Sequence, residues 1–380
     1  MEVYLDNGAS TKTDIKVVKA MNPYFTKYYG NASSAHSFGL AARKAVEKSR
    51  SIISKKIGAE PNELIFTSGG TESDNAAIIG AALANIDKGN HIISSNIEHP
   101  AVMNTLKYLE SKGFKVSYLN VDSDGLVNIK ELESAITNKT ILITIMHANN
   151  EIGSVQDIQK IGRIARSRGV LFHTDSVQSF TKEEIDVKKQ FIDLASFSSH
   201  KIHGPKGVGA MFIRKGVNIL PLLHGGGHEF NKRAGTENVS GIVGFAKAVE
   251  LSNEKYNTIM RRLRDYAINN ILKIKNSRLN GSFEKRLVNN INVSFKGIEG
   301  EAVLSRLDNA GIMVSTGSAC SSKSLELSHV LKAINVPSDY IQGSIRVTLS
   351  RFTSKKEIDY FINVLQKVVK ELSEMSPYGV

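Results

Sequence analysis

The chain carries a single cysteine, Cys320, among its 380 residues. One thiol cannot form an intramolecular disulfide, which fits a reducing compartment. A four-cysteine zinc site is excluded on the same count. No uninterrupted apolar stretch reaches the roughly 18 residues that mark a membrane helix. The opening residues, MEVYLDNGAS, lack a basic region followed by an apolar core, so no secretory signal is read there and a cytoplasmic protein is expected. No internal repeat, low-complexity tract or flexible linker stands out.

What is present is an ordinary globular composition, 41% apolar and 23% charged, in a chain long enough for two or three domains. The formal net charge is +12, and Lys255–Arg286 holds nine basic and two acidic residues of that balance. Ile259, Leu263, Ala267, Ile271 and Ile274 recur there at helical spacing. The segment is therefore expected to be an amphipathic helix with a solvated basic face, with no direct nucleic-acid binding.

Strand-like and helix-like stretches alternate through the first two-thirds. Strands are expected at Leu64–Thr67, His91–Ser94, Lys115–Leu119, Ile141–Met146, Val170–His173, Ile192–Phe197 and Ala210–Ile213. Helices are expected at Glu72–Ala84, from Pro100, and over Ile158–Arg168. This alternation predicts an α/β core with a mainly parallel sheet, whose ligands bind beyond the carboxyl ends of the strands. After Gly244 the pattern changes to one long helix over Phe245–Ile274. Strands at Asn290–Phe295 and Ser344–Leu349 follow, with helices at Gly300–Asn309 and Lys355–Met375, a smaller α+β unit.

Four loops at strand ends hold unusual polar residues. In Thr67–Asn75, TSGGTESDN, glycines and hydroxyls lead into a helix N-terminus that favours an anion such as phosphate. The spacing is not that of a Walker loop. In His173–Ser179, HTDSVQS, Asp175 suits pairing with a protonated ring nitrogen, or equally a helix cap. In Met146–Gly153, MHANNEIG, Asn149 and Asn150 either bond a substrate or shape a turn. In Phe191–Gly209 an apolar run ends at Ser198-Ser199-His200 and presents Lys201, suited to a Schiff base if its amine is partly desolvated. Phosphate cradle, carboxylate and lysine together are what pyridoxal phosphate needs.

Other patterns fail. Asp122–Glu133 has acidic residues at positions 1, 3 and 12 of a calcium loop, but Val127 sits where glycine is required. His224 and His228 are separated by three glycines that argue against a helix, so no metal is assigned. Cys320 lies in Ser315–Ser324, STGSACSSKS. Its small polar neighbours favour a reactive thiol over a core one.

These segments resemble the cysteine desulfurases of the NifS and IscS kind. YLDNGAS, GNASSAH, FTSGGTESDN, EHPAV, MHANNEIG, HTDSVQS, SFSSHKIHGPKGVGA, LHGGGHE, RAGTEN, STGSACSS and IRVTLSRFT carry the resemblance nearly end to end. It implies a fold-type I pyridoxal-phosphate enzyme of the class V aminotransferase superfamily. Its large domain, residues 14–250, would hold a mostly parallel seven-stranded sheet. Residues 1–13 and 251–380 would form a smaller α+β domain bearing the Cys320 loop. A homodimer would complete the active site.

By the same resemblance Lys201 forms the Schiff base, Asp175 pairs with the pyridine nitrogen and Gln178 bonds the ring hydroxyl. His99 stacks on the ring as an acid–base group. Gly70, Thr71, Ser198 and His200 hold the phosphate, with Thr236 reaching it from the neighbouring subunit. Asn150 and Arg346 grip the substrate carboxylate, and Cys320 takes the sulfur of L-cysteine as a persulfide, releasing L-alanine. The persulfide would pass to an acceptor such as an iron–sulfur scaffold or a tRNA-thiolation protein. A selenocysteine lyase or other cysteine C–S lyase is the alternative on this fold. The chain departs from the family in having SGGT for SGAT, RAGT for RSGT, and Leu327 where proline is usual. None of these removes a catalytic group.

Overall fold

Strands buried at every position need cover on both faces, and most strands of the sheet at the centre of this protein have it. The computed structural model describes residues 1–316 and 327–375. Its strands are β1 (Val3–Tyr4), β2 (Leu64–Thr67), β3 (His91–Ser95), β4 (Lys115–Leu119), β5 (Thr140–Thr144) and β6 (Leu171–Asp175). They continue with β7 (Leu194–Ser198), β8 (Gly209–Ile213), β9 (Ser277–Leu279), β10 (Asn290–Phe295), β11 (Ile312–Met313) and β12 (Ser344–Thr348).

A seven-stranded sheet runs in the order β2-β8-β7-β6-β5-β3-β4. Only the two pairs made by β8 are antiparallel. Successive residues serve opposite faces, as a period of two requires. Ile93, Ile143, Ala195 and Phe212 join one buried cluster, while Ile92, Leu142, Leu194 and Met211 join another. Parallel neighbours need a crossover, supplied for β3 to β4 by the helix Pro100–Glu110 and for β5 to β6 by the helix Ile158–Ser167. Because β2, β3, β5, β6 and β7 point the same way, their carboxyl ends open on one side of the sheet.

A separate core lies around the three-stranded sheet β12-β10-β9. It gathers Ile291, Val293, Ile345 and Val347 with Ile268 and Ile271, and with Phe361 and Leu365 of the helix Lys355–Met375. Val3 and Leu5 pack into this second core, and β1 pairs with β11. The N-terminus thus crosses to the far part of the chain before the large sheet begins. Among the described residues no helix is long and apolar enough to cross a membrane.

The fold corrects the reading of Phe245–Ile274 as one helix. Two helices occupy it, Val239–Glu250 and Glu254–Ile271. Ser252 and Asn253 break the run, and the Asn253 side chain accepts from the Lys255 N–H to cap the second helix. The apolar face is also rotated from the expected one. Met260, Arg264, Ala267, Ile268 and Ile271 are buried, whereas Ile259 is exposed. Nor is the basic segment wholly solvated. The Arg264 guanidinium is buried and donates to the carbonyls of Arg286 and Leu287, at 2.8 and 2.9 Å. Arg286 is buried too, donating to the carbonyls of Ser282 and Ile152, each at 2.6 Å. Carbonyl oxygens replace the water that a buried guanidinium gives up.

Candidate active site

A cavity of about 280 Å³ opens at the shared carboxyl ends of the parallel strands, and most of the residues singled out in the sequence line it. From the end of β2 come Gly70 and Thr71, at the first turn of the helix Gly70–Ala84. The backbone N–H groups of a helix's first turn have no partner within the helix. A Cβ on Gly70 would lie 2.7 Å from a methyl of Val177, so only glycine lets the loop after β6 close over this turn.

The loop after β3 delivers His99, which caps the helix Pro100–Glu110. Its Nδ1 accepts from the Ala101 N–H at 3.1 Å. The neutral ring therefore carries its proton on Nε2. Burial, with the charges of Lys201 and His329, pushes His99 down to about 4, so it is neutral at pH 7.

The two asparagines after β5 divide the alternatives left open in the sequence. Asn149 is fully buried and shapes the turn: its Oδ1 accepts from the N–H groups of Glu151 and Ile152, at 2.8 and 2.9 Å. Asn150 lines the cavity, and its carbonyl accepts from Arg346 Nη1 at 3.1 Å. Arg346 lies on β12, and its Nη2 meets Asp6 at 3.0 Å. Its buried Nε–H has no acceptor among the described residues.

From β6 comes Asp175, with Oδ1 accepting from the Val177 N–H at 2.9 Å. Burial raises its carboxyl to about 6, against the pull of that N–H and of Lys201. Gln178 lines the cavity as well, but its amide donates to the Gly8 carbonyl at 3.0 Å. Lys201 follows β7 in the short turn Ser199–Lys201. Its Nζ donates to the carbonyls of Gly8 and Ala9, at 2.6 and 2.9 Å. Ser198 and His200 flank the same wall, and His200 Nδ1 lies 3.3 Å from the Ser10 hydroxyl. Burial and the charges of Lys201, Lys206 and Lys182 push His200 down to about 4.

Of the site residues implied by the resemblance that the structure describes, Thr236 alone does not line this cavity. Thr236 is exposed, on a loop whose Arg233 bonds Glu72 at 2.8 Å beside the first turn of the Gly70 helix. Cys320 lies outside the described residues.

The structure also adds residues to which the sequence reading gave no role. Asp74 reaches the cavity from the Gly70 helix, its Oδ1 without a hydrogen-bond partner among the described residues. Burial first, then Asp175, raises its carboxyl well above the ordinary range. His173 Nε2 lies 3.7 Å from that oxygen, but burial pushes His173 down to about 3, so the imidazole is neutral at pH 7 and no ion pair forms. Asp175, with its N–H donor and the nearby lysine, is the member of the carboxyl pair that ionises first. The available signal was an aspartate separated by Asn75 alone from the apolar run Ala76–Ala84. Glu98 is buried behind these groups, accepting from the Ser95 hydroxyl at 2.6 Å and the Met146 N–H at 3.0 Å.

Comparison with known proteins agrees with this geometry. The chain belongs to the class V aminotransferase family, whose family model matches residues 3–361. It is 52% identical over 99% of its length to the cysteine desulfurase IscS of Methanosarcina thermophila, covering 94% of that protein. It is 50% identical to the cysteine desulfurase IscS of Dictyoglomus turgidum, over 99% of this chain and 97% of the relative. A solved NifS-like protein superposes with a TM-score of 0.93 at 40% identity, over 98% of this chain and all (100%) of the other. Another solved structure, described as SspA in complex with cysteine, gives a TM-score of 0.84 at 37% identity over 93% of this chain and 100% of that one. Within the family the chain falls among the cysteine desulfurases, which are enzymes.

Proposed function

We propose that the cavity binds pyridoxal 5'-phosphate through Lys201 and that the protein converts L-cysteine to L-alanine, placing the sulfur on Cys320. The observation that carries this reading is the convergence on one cavity of a lysine, a buried carboxylate and a helix N-terminus whose glycine leaves room for a ligand. The residues fit the group. Gly70 and Thr71 offer backbone donors to a phosphate, with the Ser198 hydroxyl and His200 beside them. Asp175, half ionised near pH 6 in the free site, can hold a proton on a ring nitrogen. When bound, pyridoxal phosphate supplies an aldehyde carbon that links covalently to an amine and a ring that withdraws electrons from the amino-acid Cα.

The chain's own residues supply the rest. The Arg346 guanidinium and the side chain of Asn150, both lining the cavity, take the substrate carboxylate, fixing the amino acid's orientation. His99, neutral and protonated on Nε2, would form an aromatic wall of the cofactor site and move protons. Lys201 would hold the cofactor covalently, and its amine, when free, would take and return a proton at the substrate Cα. Cys320, as thiolate, attacks the substrate sulfur. A sulfur–sulfur bond forms, the Cβ–S bond breaks, and its electron pair stays on carbon, which takes a proton to become alanine. The resulting persulfide is a reversible sulfur carrier.

In this reading Thr236 completes the phosphate site of a second copy in a homodimer, consistent with its exposure outside its own cavity. The sulfur passes to an acceptor such as an iron–sulfur scaffold or a tRNA-thiolation protein, in the cytoplasm. The decisive test is the absorption spectrum of the purified protein with and without Lys201→Ala. The native protein should absorb visibly and the variant should lose the covalent band. An unchanged band in the variant would refute the role of Lys201.

A further inference from the structure

A second lysine lies behind Lys201. Lys182 ends the turn after β6, and its Nζ donates to the Gln178 carbonyl at 2.8 Å and to the Lys201 carbonyl at 3.4 Å. It therefore fastens together the loop carrying Asp175 and Gln178 and the turn carrying Lys201. Gly8 closes the circuit from the front, its carbonyl accepting from both Gln178 Nε2 and Lys201 Nζ. A small cavity of about 40 Å³ behind Lys201 is lined by both lysines, Thr11, Ile202 and His203. No carboxylate bonds the Lys182 ammonium among the described residues; its recorded acceptors are the two carbonyls. A surface lysine does not need such a setting.

We propose that Lys182 is a positioning residue for Lys201, clasping the two active-site turns from behind and facing the reactive amine with a second positive charge. The inference rests on the reading of Lys201 as the cofactor-bearing lysine. Nearby cations oppose a further proton on Lys201 or on the nitrogen it contributes to a covalent link. Among the described residues, the charge of Lys201 is felt by Lys182, His99, His200 and Asp175. The groups acting around Lys182 are Glu183 beside it and Lys201, with His203 and Arg351 across the small cavity. Burial, then the Lys201 charge, pushes Lys182 down to about 7, so its charge is present in mildly acidic solution and fades above neutrality.

The test is a pH titration of the visible absorption of the holoenzyme at low salt, comparing the native protein with Lys182→Met and Lys182→Arg. Lys182→Met should raise the midpoint of the spectral transition by about one pH unit, roughly a tenfold gain in proton affinity. Lys182→Arg, which keeps charge and donors, should return it towards the native value. A purely structural role would weaken cofactor retention in Lys182→Met without moving the midpoint, and that result overturns the proposal. If Lys182→Met does not fold, the salt dependence of the Lys182→Arg midpoint decides. A midpoint that rises with salt supports the charge effect, and one that salt leaves unmoved contradicts it. A native protein without visible absorption would instead refute the underlying role of Lys201.

Discussion

Glu98 shows at the residue scale how burial sets chemistry in this protein. Its carboxyl is pushed up to about 8, mainly by burial, although the Ser95 hydroxyl and the Met146 N–H both favour the charged form. A carboxyl whose proton is held more tightly in the folded state stabilises the fold below its unfolded value and loses that contribution as pH rises through the folded value. For Glu98 the window runs from about 4.5 to about 8. Glu98→Gln keeps an acceptor for the same two donors and removes the titration. Its melting temperature should fall less steeply than that of the native protein between pH 5 and pH 8. Equal slopes would show that Glu98 is not held protonated. The same reasoning separates what the sequence revealed from what it hid. Lys201 and Asp175 were legible because each stands at the end of an apolar run among small polar residues, whereas His99 was read only from the family resemblance. Glu98 and Asp74 were not, since burial of a carboxyl depends on which strands become neighbours.

The edge of the large sheet poses a distinct problem at the scale of elements. β2 is the last strand on its side, so one row of its backbone groups lacks a strand partner. Side chains take that place. Glu229 accepts from the Phe66 N–H at 2.7 Å, Arg50 donates to the Leu64 carbonyl at 2.7 Å, and the two side chains bond each other twice at 2.7 Å. Glu229, Phe230 and Asn231 all take positive φ, at 45°, 56° and 62°, to bring this carboxylate to the strand. Non-glycine residues rarely accept such φ without support from their surroundings. Removing Arg50 leaves the Glu229 carboxylate buried without its cation, so Arg50→Ala should cost about 3–5 kcal/mol in urea unfolding; Glu229→Ala should cost less, because Arg50 keeps Glu47 at 3.3 Å. The Arg50→Met, Glu229→Met pair should cost less than the sum of the single changes. Strict additivity would show that the pair does not act as one unit. Alternation of strands and helices was readable here because short apolar runs alternate with longer amphipathic ones, some opening at a capping residue such as Asp157. The break at Ser252-Asn253 was hidden by apolar residues on both sides of it, and the side-chain cover of β2 depends on a contact between residues 163 apart in the chain.

Across the whole molecule, the cavity lies where the two cores meet. Asn150 follows a strand of the large sheet, Arg346 comes from the smaller one, and Gly8 and Ala9 belong to the N-terminal strap that reaches both. Thr348 on β12 fixes that strap, its Oγ1 accepting from the Gly8 N–H at 2.6 Å. The strap in turn presents the carbonyls that hold Lys201. Lys201 on one core and Arg346 on the other are thus kept in register by the first ten residues. The motif YLDNGAS was visible in the sequence, but its task was not, because that task consists of backbone carbonyls that no side chain advertises.

The central claim is that this cavity serves to move sulfur onto Cys320, and the chain's single thiol makes that claim unusually open to test. The purified protein should be mixed with L-cysteine without reductant, and the intact protein and the free amino acids measured by mass spectrometry. The account predicts alanine release together with a gain of one sulfur atom on the Cys320 peptide, and loss of both in Cys320→Ser with its visible absorption retained. Undiminished alanine formation by Cys320→Ser, or turnover of the native protein that never places sulfur on Cys320, would contradict it.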